Sequence, residues 1–186
     1  MSLCSSFFIQ VLDFSCPIMQ TGPHHAAEED ALREENNKLT IYPRGFNITW
    51  GNDERYWRIV NSDEQVAELK QVSWLEVTCS TDKVEFGKRY KVGFNVSLRP
   101  DAFGWKGLDV YVMAKVGKKG NFFPKKVSLG DDHPEKKFII PRTPLIISID
   151  RSTAKEKSIH LGLYEVWSSK WKGGLKIHNA FIEKVD

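Results

Sequence analysis

The chain has 186 residues, of which 41% are hydrophobic, 27% charged and 12% aromatic, and its formal net charge is +3 at pH 7. This length suits one domain with an extension, and so small a net charge does not by itself indicate a nucleic-acid partner. The three cysteines, Cys4, Cys16 and Cys79, are an odd number without a CxxC pair. The sequence therefore favours free thiols in a reducing compartment over a disulfide framework or a zinc site.

Residues 1–37 are predicted to form a flexible N-terminal extension. The apolar stretch in residues 1–18 has no basic region before it and contains an aspartate, so neither a secretory signal nor a membrane span is expected. Met19 opens a polar segment, and the stretch before it is interpreted as an alternative-start segment. Residues 20–40 lack an apolar stripe, which is typical of a linker or a frayed helix. The folded domain is predicted to span residues 38–186.

One short helix is predicted within the domain, over "NSDEQVAELKQ" at residues 61–71. Ser62 can cap its first turn, and Gln65 three residues later completes a capping-box pattern. The two acidic residues between them suit the positive end of the helix dipole.

From residue 73 onward the pattern predicts strands. In "RYKVGFNVSL" the apolar residues alternate with polar ones, and "SWLEVTCS" and "GLDVYVMAKV" repeat this period of two. In this pattern Cys79 faces inward as a small hydrophobe. Alternation over eight or nine strands punctuated by turns predicts antiparallel sheets packed face to face. The fold class is therefore all-β, an antiparallel two-sheet β-sandwich, jelly-roll-like, with one or a few short helices.

The sequence does not indicate an enzyme. His133, His160 and His178 are scattered, and no HExxH, GxSxG or P-loop pattern occurs. The two histidines in predicted strands are expected to be hydrogen-bonded structural imidazoles. No arrangement of nucleophile, base and oxyanion donors is recognisable, and no cofactor or metal is expected.

Lysines cluster in the middle of the chain and raise the possibility of RNA binding. The candidate contacts are Lys118, Lys119, Lys125 and Lys126, with bases stacking on Phe122 or Phe123. Solubilising lysines that protect loops and edge strands from aggregation are the favoured interpretation, because arginine is sparse there and acidic residues follow at once.

Several aromatic residues lie in loops that no strand period explains. Trp50 and Trp74 fall within strand patterns and are predicted to be structural. Phe103, Trp105 and Trp171 have Gly, Lys and Ser neighbours, and Trp57 lies between charged residues, so these rings are predicted to be exposed. A pyranose lays its apolar C–H face on such a ring while its polar rim needs hydrogen-bond partners. Candidate partners are Asn121, Ser168, Ser169 and Lys170.

Four segments of the chain resemble the phloem protein 2 family, the phloem lectins related to the tobacco agglutinin. They are "NITWGNDERYW", "SWLEV", "GKRYKVGFNVSL" and "GLYEVWSSKWKGGLKIHNAFIEKV", and the likeness runs from about Lys38 to the C-terminus. Within this family the chain resembles in particular the cucurbit-type phloem lectins. The family's aromatic block falls on Trp50, Tyr56 and Trp57, and its C-terminal block falls on Tyr164, Glu165, Ser168, Trp171 and Lys172.

The resemblance implies a β-sandwich lectin that binds N-acetylglucosamine oligomers (chitooligosaccharides) and related N-glycan motifs, without metal or catalysis, in phloem defence and wound response. It also implies a homodimer in the cytoplasm of companion cells and sieve elements and in phloem sap, made without a signal peptide. Two alternatives stay open: an RNA-transport protein of phloem sap using the lysines, and a structural partner of a phloem filament protein through disulfides.

Overall fold

The computed structural model describes residues 22–60, 65–130, 134–152 and 155–185. Within them the chain forms twelve strands and one 3-10 turn, Pro43–Gly45. The strands are β1 (Leu32–Glu35), β2 (Lys38–Ile41), β3 (Asn47–Ile48), β4 (Trp57–Val60), β5 (Val66–Leu69), β6 (Leu75–Thr81), β7 (Arg89–Phe103), β8 (Asp109–Val116), β9 (Phe123–Ser128), β10 (Phe138–Ser148), β11 (Ile159–Glu165) and β12 (Gly173–Val185). No helix in these residues is long and apolar enough to cross a membrane.

Two antiparallel sheets form the molecule, as the alternating pattern predicts. One sheet has five strands in the order β3-β6-β11-β8-β9. The other has seven and is organised around β12, which pairs with β7 on one side and with β2 and β5 on the other. β10 pairs with β7, β1 with β2, and β4 with β5. The all-β sandwich is confirmed.

The core lies between the inner faces of the two sheets. Val92, Phe94 and Val96 of β7 are buried, and so are Val110 and Val112 of β8. Apolar residues recur at every second position of these strands, and every second side chain of a strand points to the same face. The apolar side chains therefore all lie on the face turned to the core. The burial of these apolar side chains is the main source of the stability of the sandwich.

The predicted helix was wrong. Residues 66–69 form strand β5, and residues 61–64, including Ser62, lie outside the described residues. Ala67 and Leu69 are fully buried on the core face of β5, which pairs with β4 and β12. Tertiary pairing on both sides of this segment outweighs the capping signal and the weak intrinsic helix preference that followed it.

The second half of the predicted extension runs along the sandwich. Residues 22–28 lie against the segment 44–52, and β1 pairs with β2 in an unbroken antiparallel register. A polar segment without an apolar stripe forms these contacts largely through its backbone, and such contacts have no sequence signature. The boundary at residue 38 stays a prediction, and Cys4, Cys16 and the alternative-start segment lie outside the described residues.

Candidate functional site

Four connections between the sheets meet at one end of the sandwich, here called the aromatic end. They are residues 49–56, 70–74, 104–108 and 166–172. Val72 and Lys172 exchange both backbone hydrogen bonds, each 2.9 Å long, and the Nε1–H of Trp105 donates to the carbonyl of Gly173 over 2.8 Å. The loops are therefore tied to one another as well as to the strands that carry them.

Three aromatic rings and one imidazole form a continuous series across this end, here called the aromatic row: His24, Trp50, Tyr56 and Trp171. Trp171 and Tyr56 are near parallel, with centroids 6.5 Å apart and planes at 27°. Tyr56 and Trp50 follow at 5.9 Å, and Trp50 and His24 at 5.1 Å. Trp171 is 52% exposed and Trp50 39%. Exposed rings at contact spacing make a strip of apolar surface rimmed by polar backbone.

A second aromatic corner, here called the side groove, is lined in part by the same loop. Trp167 is 48% exposed, and its ring meets that of Tyr111 nearly at a right angle, with centroids 5.1 Å apart. The groove encloses about 450 Å³, and Asp109, Ser168 and Lys170 are among its lining residues. The groove thus combines two aromatic rings with one acidic and one basic side chain in a shallow depression.

A buried ion pair fixes the loop that carries Trp167 and Trp171. The Lys172 ammonium lies 2.5 Å from Oε2 of Glu165, with both side chains almost wholly buried, and donates to the Ser73 carbonyl over 2.8 Å. The Glu165 carboxylate also accepts hydrogen bonds from the backbone N–H of Ser168 at 3.0 Å and from its hydroxyl at 2.9 Å. Each charge thus has several partners, which a buried pair needs in order to offset its desolvation.

Ser168 and Ser169 shape the turn between the two tryptophans. The Ser168 hydroxyl accepts the backbone N–H of Lys170 over 3.2 Å in addition to donating to Glu165. The predicted role of Ser168 as a sugar contact stays a prediction, and its hydroxyl also serves to hold the loop. Ser169 adopts a left-handed backbone with φ 55°. Ser169 and Lys170 are exposed.

Two rings predicted to be exposed for sugar stacking, Trp57 and Trp105, are buried, and so is Tyr164, a site residue suggested by the family's C-terminal block. Trp57 is 1% exposed, Trp105 3% and Tyr164 2%. Trp57 opens β4 and faces the core, and the Trp105 ring lies beneath the loops and is anchored by its indole N–H. Burial raises the pKa of the Tyr164 hydroxyl. The predicted exposure of Trp57 and Trp105 was wrong, because polar neighbours in sequence do not determine on which side of the backbone a ring lies. The buried ring of Tyr164 cannot lie against a sugar either.

Trp50 and Trp74 are more exposed than their strand patterns indicated, and a sugar contact by Trp50 stays open. Both were predicted to be structural, yet each is 39% exposed. Trp50 follows β3 in a turn and has φ 64°, a left-handed conformation that costs a residue other than glycine roughly 1–2 kcal/mol. Phe103, at the end of β7, is exposed as predicted.

Asn121 does not reach the aromatic end. It lies in the turn between β8 and β9, and β8 runs from Asp109 at the aromatic end to Val116 at the far end. At about 3.3 Å per residue, the length of this strand separates Asn121 from the other candidates by roughly 20 Å or more. Its predicted role as a hydrogen-bond partner in that site was therefore wrong.

The four candidate RNA-contact lysines do not form one strip. Lys118 and Lys119 lie in the turn at the far end, whereas Lys125 and Lys126 belong to β9. Lys126 is ion-paired with Asp109 at 2.7 Å, which raises the pKa of its ammonium through the hydrogen bond between them. Phe123 is exposed on the same strand. RNA binding stays a prediction.

The remaining candidates are structural. Cys79 is buried, as its inward-facing position in the strand pattern predicted. Burial raises the pKa of its thiol to about 12, so the group stays protonated and unreactive. His178 hydrogen-bonds Ser97 over 2.9 Å, and His160 approaches Ser158 at 3.3 Å. Burial, reinforced by Lys115, lowers the pKa of His160 to about 4. His133 lies outside the described residues.

The two antiparallel sheets and the aromatic end together define an antiparallel β-sandwich with an exposed aromatic surface at one end. A solved structure with a similar fold is that of the Podospora anserina GH26-CBM35 β-(1,4)-mannanase. It aligns with a TM-score of 0.50 over 82% of this chain and 28% of that one, at 7% identity. At this identity the similarity concerns the fold alone.

The chain belongs to the phloem protein 2 family, whose model matches residues 36–183. It is 39% identical over 183 residues to Protein PHLOEM PROTEIN 2-LIKE A9 of Arabidopsis thaliana, covering 89% of this chain and 98% of that protein. It is also 37% identical over 79 residues to a lectin of Luffa acutangula, covering 39% of this chain and 38% of that lectin. The family expectation from the sequence is confirmed.

Proposed function

We propose that the chain is a lectin that binds N-acetylglucosamine oligomers at the aromatic end. The observation that carries the proposal is the position of Trp171, a half-exposed indole stacked on Tyr56 and carried by a loop that a buried ion pair holds in place. The Luffa acutangula relative is itself named a lectin.

The aromatic row suits the apolar face of a sugar ring. Successive centroids from Trp171 to Trp50 lie 6.5 and 5.9 Å apart, which is about the dimension of one pyranose ring. Neighbouring rings can therefore meet neighbouring sugars of a β-linked oligomer. The rings are already in contact with one another and with fixed backbone, so little side-chain freedom is lost when a ligand covers them.

The polar requirements of an N-acetylated sugar are met beside the row. Ser169 and Lys170 are exposed on the turn next to Trp171 and supply a hydroxyl and an ammonium donor. The side groove, which Ser168 and Lys170 of this turn help to line, adds Asp109 as an acceptor and Trp167 as a further ring. We assign the first sugars to the row and treat the side groove as the place for a branch or a neighbouring residue of an N-glycan.

A site of this kind binds weakly. An open aromatic surface with a few polar partners gives dissociation constants of about mM to μM, or roughly −4 to −8 kcal/mol. Association into a homodimer, which the resemblance implies, would raise retention on repeated glycans through avidity.

The proposal is tested by titrating chitotriose into the wild type and Trp171→Ala by calorimetry, with retention on a chitin column as a second readout. We expect Trp171→Ala to lose retention and to weaken binding at least tenfold, with an unchanged far-UV circular dichroism spectrum. The matched control is Phe123→Ala, an equally exposed ring on β9 away from the aromatic end, which should bind as the wild type does. Binding that survives Trp171→Ala and is lost in Phe123→Ala would move the site elsewhere.

A further inference from the structure

The N-terminal segment of residues 22–28, here called the strap, lies outside the part of the chain that the family model matches, which begins at residue 36. It is nevertheless bonded to the loop that carries Trp50. The hydrogen bonds run from Asn52 N–H to Pro23 O (2.8 Å), from Asn52 Nδ2 to His24 O (2.8 Å), in both directions between His25 and Ile48 (3.0 Å each), from Ala27 N–H to Asn47 Oδ1 (3.1 Å) and from Glu28 N–H to Arg44 O (2.8 Å).

The strap brings one side chain to the aromatic row. The backbone N–H of Trp50 donates to Nδ1 of His24 over 2.9 Å, and the two rings are 5.1 Å apart, tilted by 51°. In this bond Nδ1 of the imidazole is the acceptor, a role that a ring nitrogen can take only without a proton.

The bond matters because of the backbone conformation of Trp50. With φ 64° this residue is in the left-handed region, which a bulky side chain does not adopt without support. A second support comes from the next turn, where the N–H of Asp53 donates to the Trp50 carbonyl over 3.0 Å. His24 satisfies the N–H on one side of the strained residue, and the turn satisfies the carbonyl on the other.

We infer that the strap is a working part of the glycan-binding surface, in which His24 holds the Trp50 backbone in its left-handed conformation and so keeps the Trp50 indole in the row. His24 is a positioning residue in this account, and its own exposed ring closes the end of the row opposite Trp171. The inference rests on the proposed function. It adds that the family domain alone, without residues 22–28, has a shortened binding surface.

One consequence concerns ligand length. Trp171 lies in the separate connection 166–172, to which the strap makes no hydrogen bond among those described. Tyr56 shares the connection of Trp50, but its own backbone is held by hydrogen bonds to Asp53 (2.9 Å) and Lys70 (2.8 Å), so we expect both rings to stay in place without the strap. Loss of Trp50 from the row therefore weakens long chitooligosaccharides, which reach it, more than chitobiose, which Trp171 and Tyr56 can cover alone.

The test compares three substitutions in the full chain. His24→Ala removes the acceptor and the ring, His24→Phe keeps a ring without an acceptor, and His24→Asn places an amide oxygen where Nδ1 was. Glu29→Ala, an exposed change just beyond the strap, is the matched control. The first readout needs no sugar: hydrogen exchange of the Trp50 amide, followed by NMR. The second is the affinity for chitobiose and chitotetraose.

We expect the Trp50 amide to exchange at least tenfold faster in His24→Ala and His24→Phe, and near the wild-type rate in His24→Asn and Glu29→Ala. Chitotetraose should bind about five- to tenfold more weakly to the first two variants, with chitobiose changed less than twofold. Unchanged exchange in His24→Ala overturns the inference, and so does lost protection with unchanged chitotetraose affinity. If the wild type binds no chitooligosaccharide, both the proposed function and the inference are overturned. If the wild type binds and His24→Ala binds chitotetraose with the same affinity, the inference alone is overturned.

Discussion

Lys172 and Glu165 form an ion pair inside the protein, at the base of the loop that exposes two tryptophans. Their charged atoms are 2.5 Å apart, and the pair is shielded from solvent by the loops of the aromatic end. The same carboxylate binds the backbone and the hydroxyl of Ser168. The pair therefore links the stability of the sandwich to the shape of the candidate site.

Removing one charge of this pair should be costly. Lys172→Met leaves the Glu165 carboxylate buried without its counter-ion, and we expect the free energy of unfolding to fall by about 3–5 kcal/mol. Urea denaturation of the wild type and the variant measures this directly. A loss below about 1 kcal/mol would mean that solvent reaches the pair.

The double variant Glu165→Leu/Lys172→Met separates stability from binding. Replacing both charges by apolar groups of similar size should recover most of the lost stability. Ser168 loses its acceptor in this protein, however, so the loop is no longer held, and binding of chitotriose should stay weak. Recovery of wild-type affinity would show that the ion pair has no part in shaping the site.

Gly104 and Gly107 both have a positive φ, so Ala substitutions at the two positions provide a matched comparison of stability. Gly104 has φ 82°, and a Cβ there would clash with the Trp171 carbonyl oxygen, whereas Gly107 has φ 67° and open space around it. Gly107→Ala should cost only the left-handed conformation, about 1 kcal/mol. Gly104→Ala should cost more than about 2 kcal/mol and weaken chitotriose binding, because the Trp171 loop has to move. Equal losses of stability at the two positions would argue against close packing at Gly104.

The buried indoles of Trp105 and Trp57 differ in one respect that mutation can measure. Trp105 donates to Gly173, whereas the Nε1–H of Trp57 has no partner among the described residues. Both Phe substitutions remove similar apolar volume, but only Trp105→Phe breaks a hydrogen bond, the one to the Gly173 carbonyl. We expect Trp105→Phe to be less stable than Trp57→Phe by about 1 kcal/mol, as thermal or urea unfolding would report. The reverse order would contradict the assigned bond.

Acid should destabilise the protein in a window set by His160. Its pKa is about 4 in the folded protein and about 6.5 in the unfolded chain, so between these values the unfolded state binds more protons. The free energy of unfolding therefore falls as the pH is lowered from 6.5 to 4, by about 1–2 kcal/mol once solvent screening of this partly exposed ring is allowed for. His160→Gln, compared with the wild type at pH 7 and pH 4.5, should flatten this slope. An identical slope in the variant would assign the effect to other groups.

The sandwich could be predicted from the sequence because apolar residues at every second position show which face of a strand is turned to the core. Val92, Phe94 and Val96 alternate with polar residues in sequence and are buried in the structure. Strand β5 escaped prediction because its four residues follow a capping pattern, and only its pairing with β4 and β12 makes it extended.

The candidate site was predictable in part. Trp171 and Phe103 are exposed as the loop pattern suggested, and the resemblance drew attention to Tyr56, Glu165 and Lys172. Trp57 and Trp105 were misplaced because exposure in a loop depends on which neighbouring loops cover a ring. His24 and Tyr111 had no sequence signal at all, since contacts between distant segments bring them to Trp50 and Trp167.

The central claim, that exposed indoles at the aromatic end bind the sugar, is tested most directly by the indole N–H signals of the six tryptophans in a ¹⁵N–¹H NMR titration with chitotriose. The account predicts that the signals of Trp171 and Trp50 move in proportion to saturation, while those of the buried Trp57 and Trp105 change little. Saturating chitotriose that leaves both exposed indoles unmoved would contradict it.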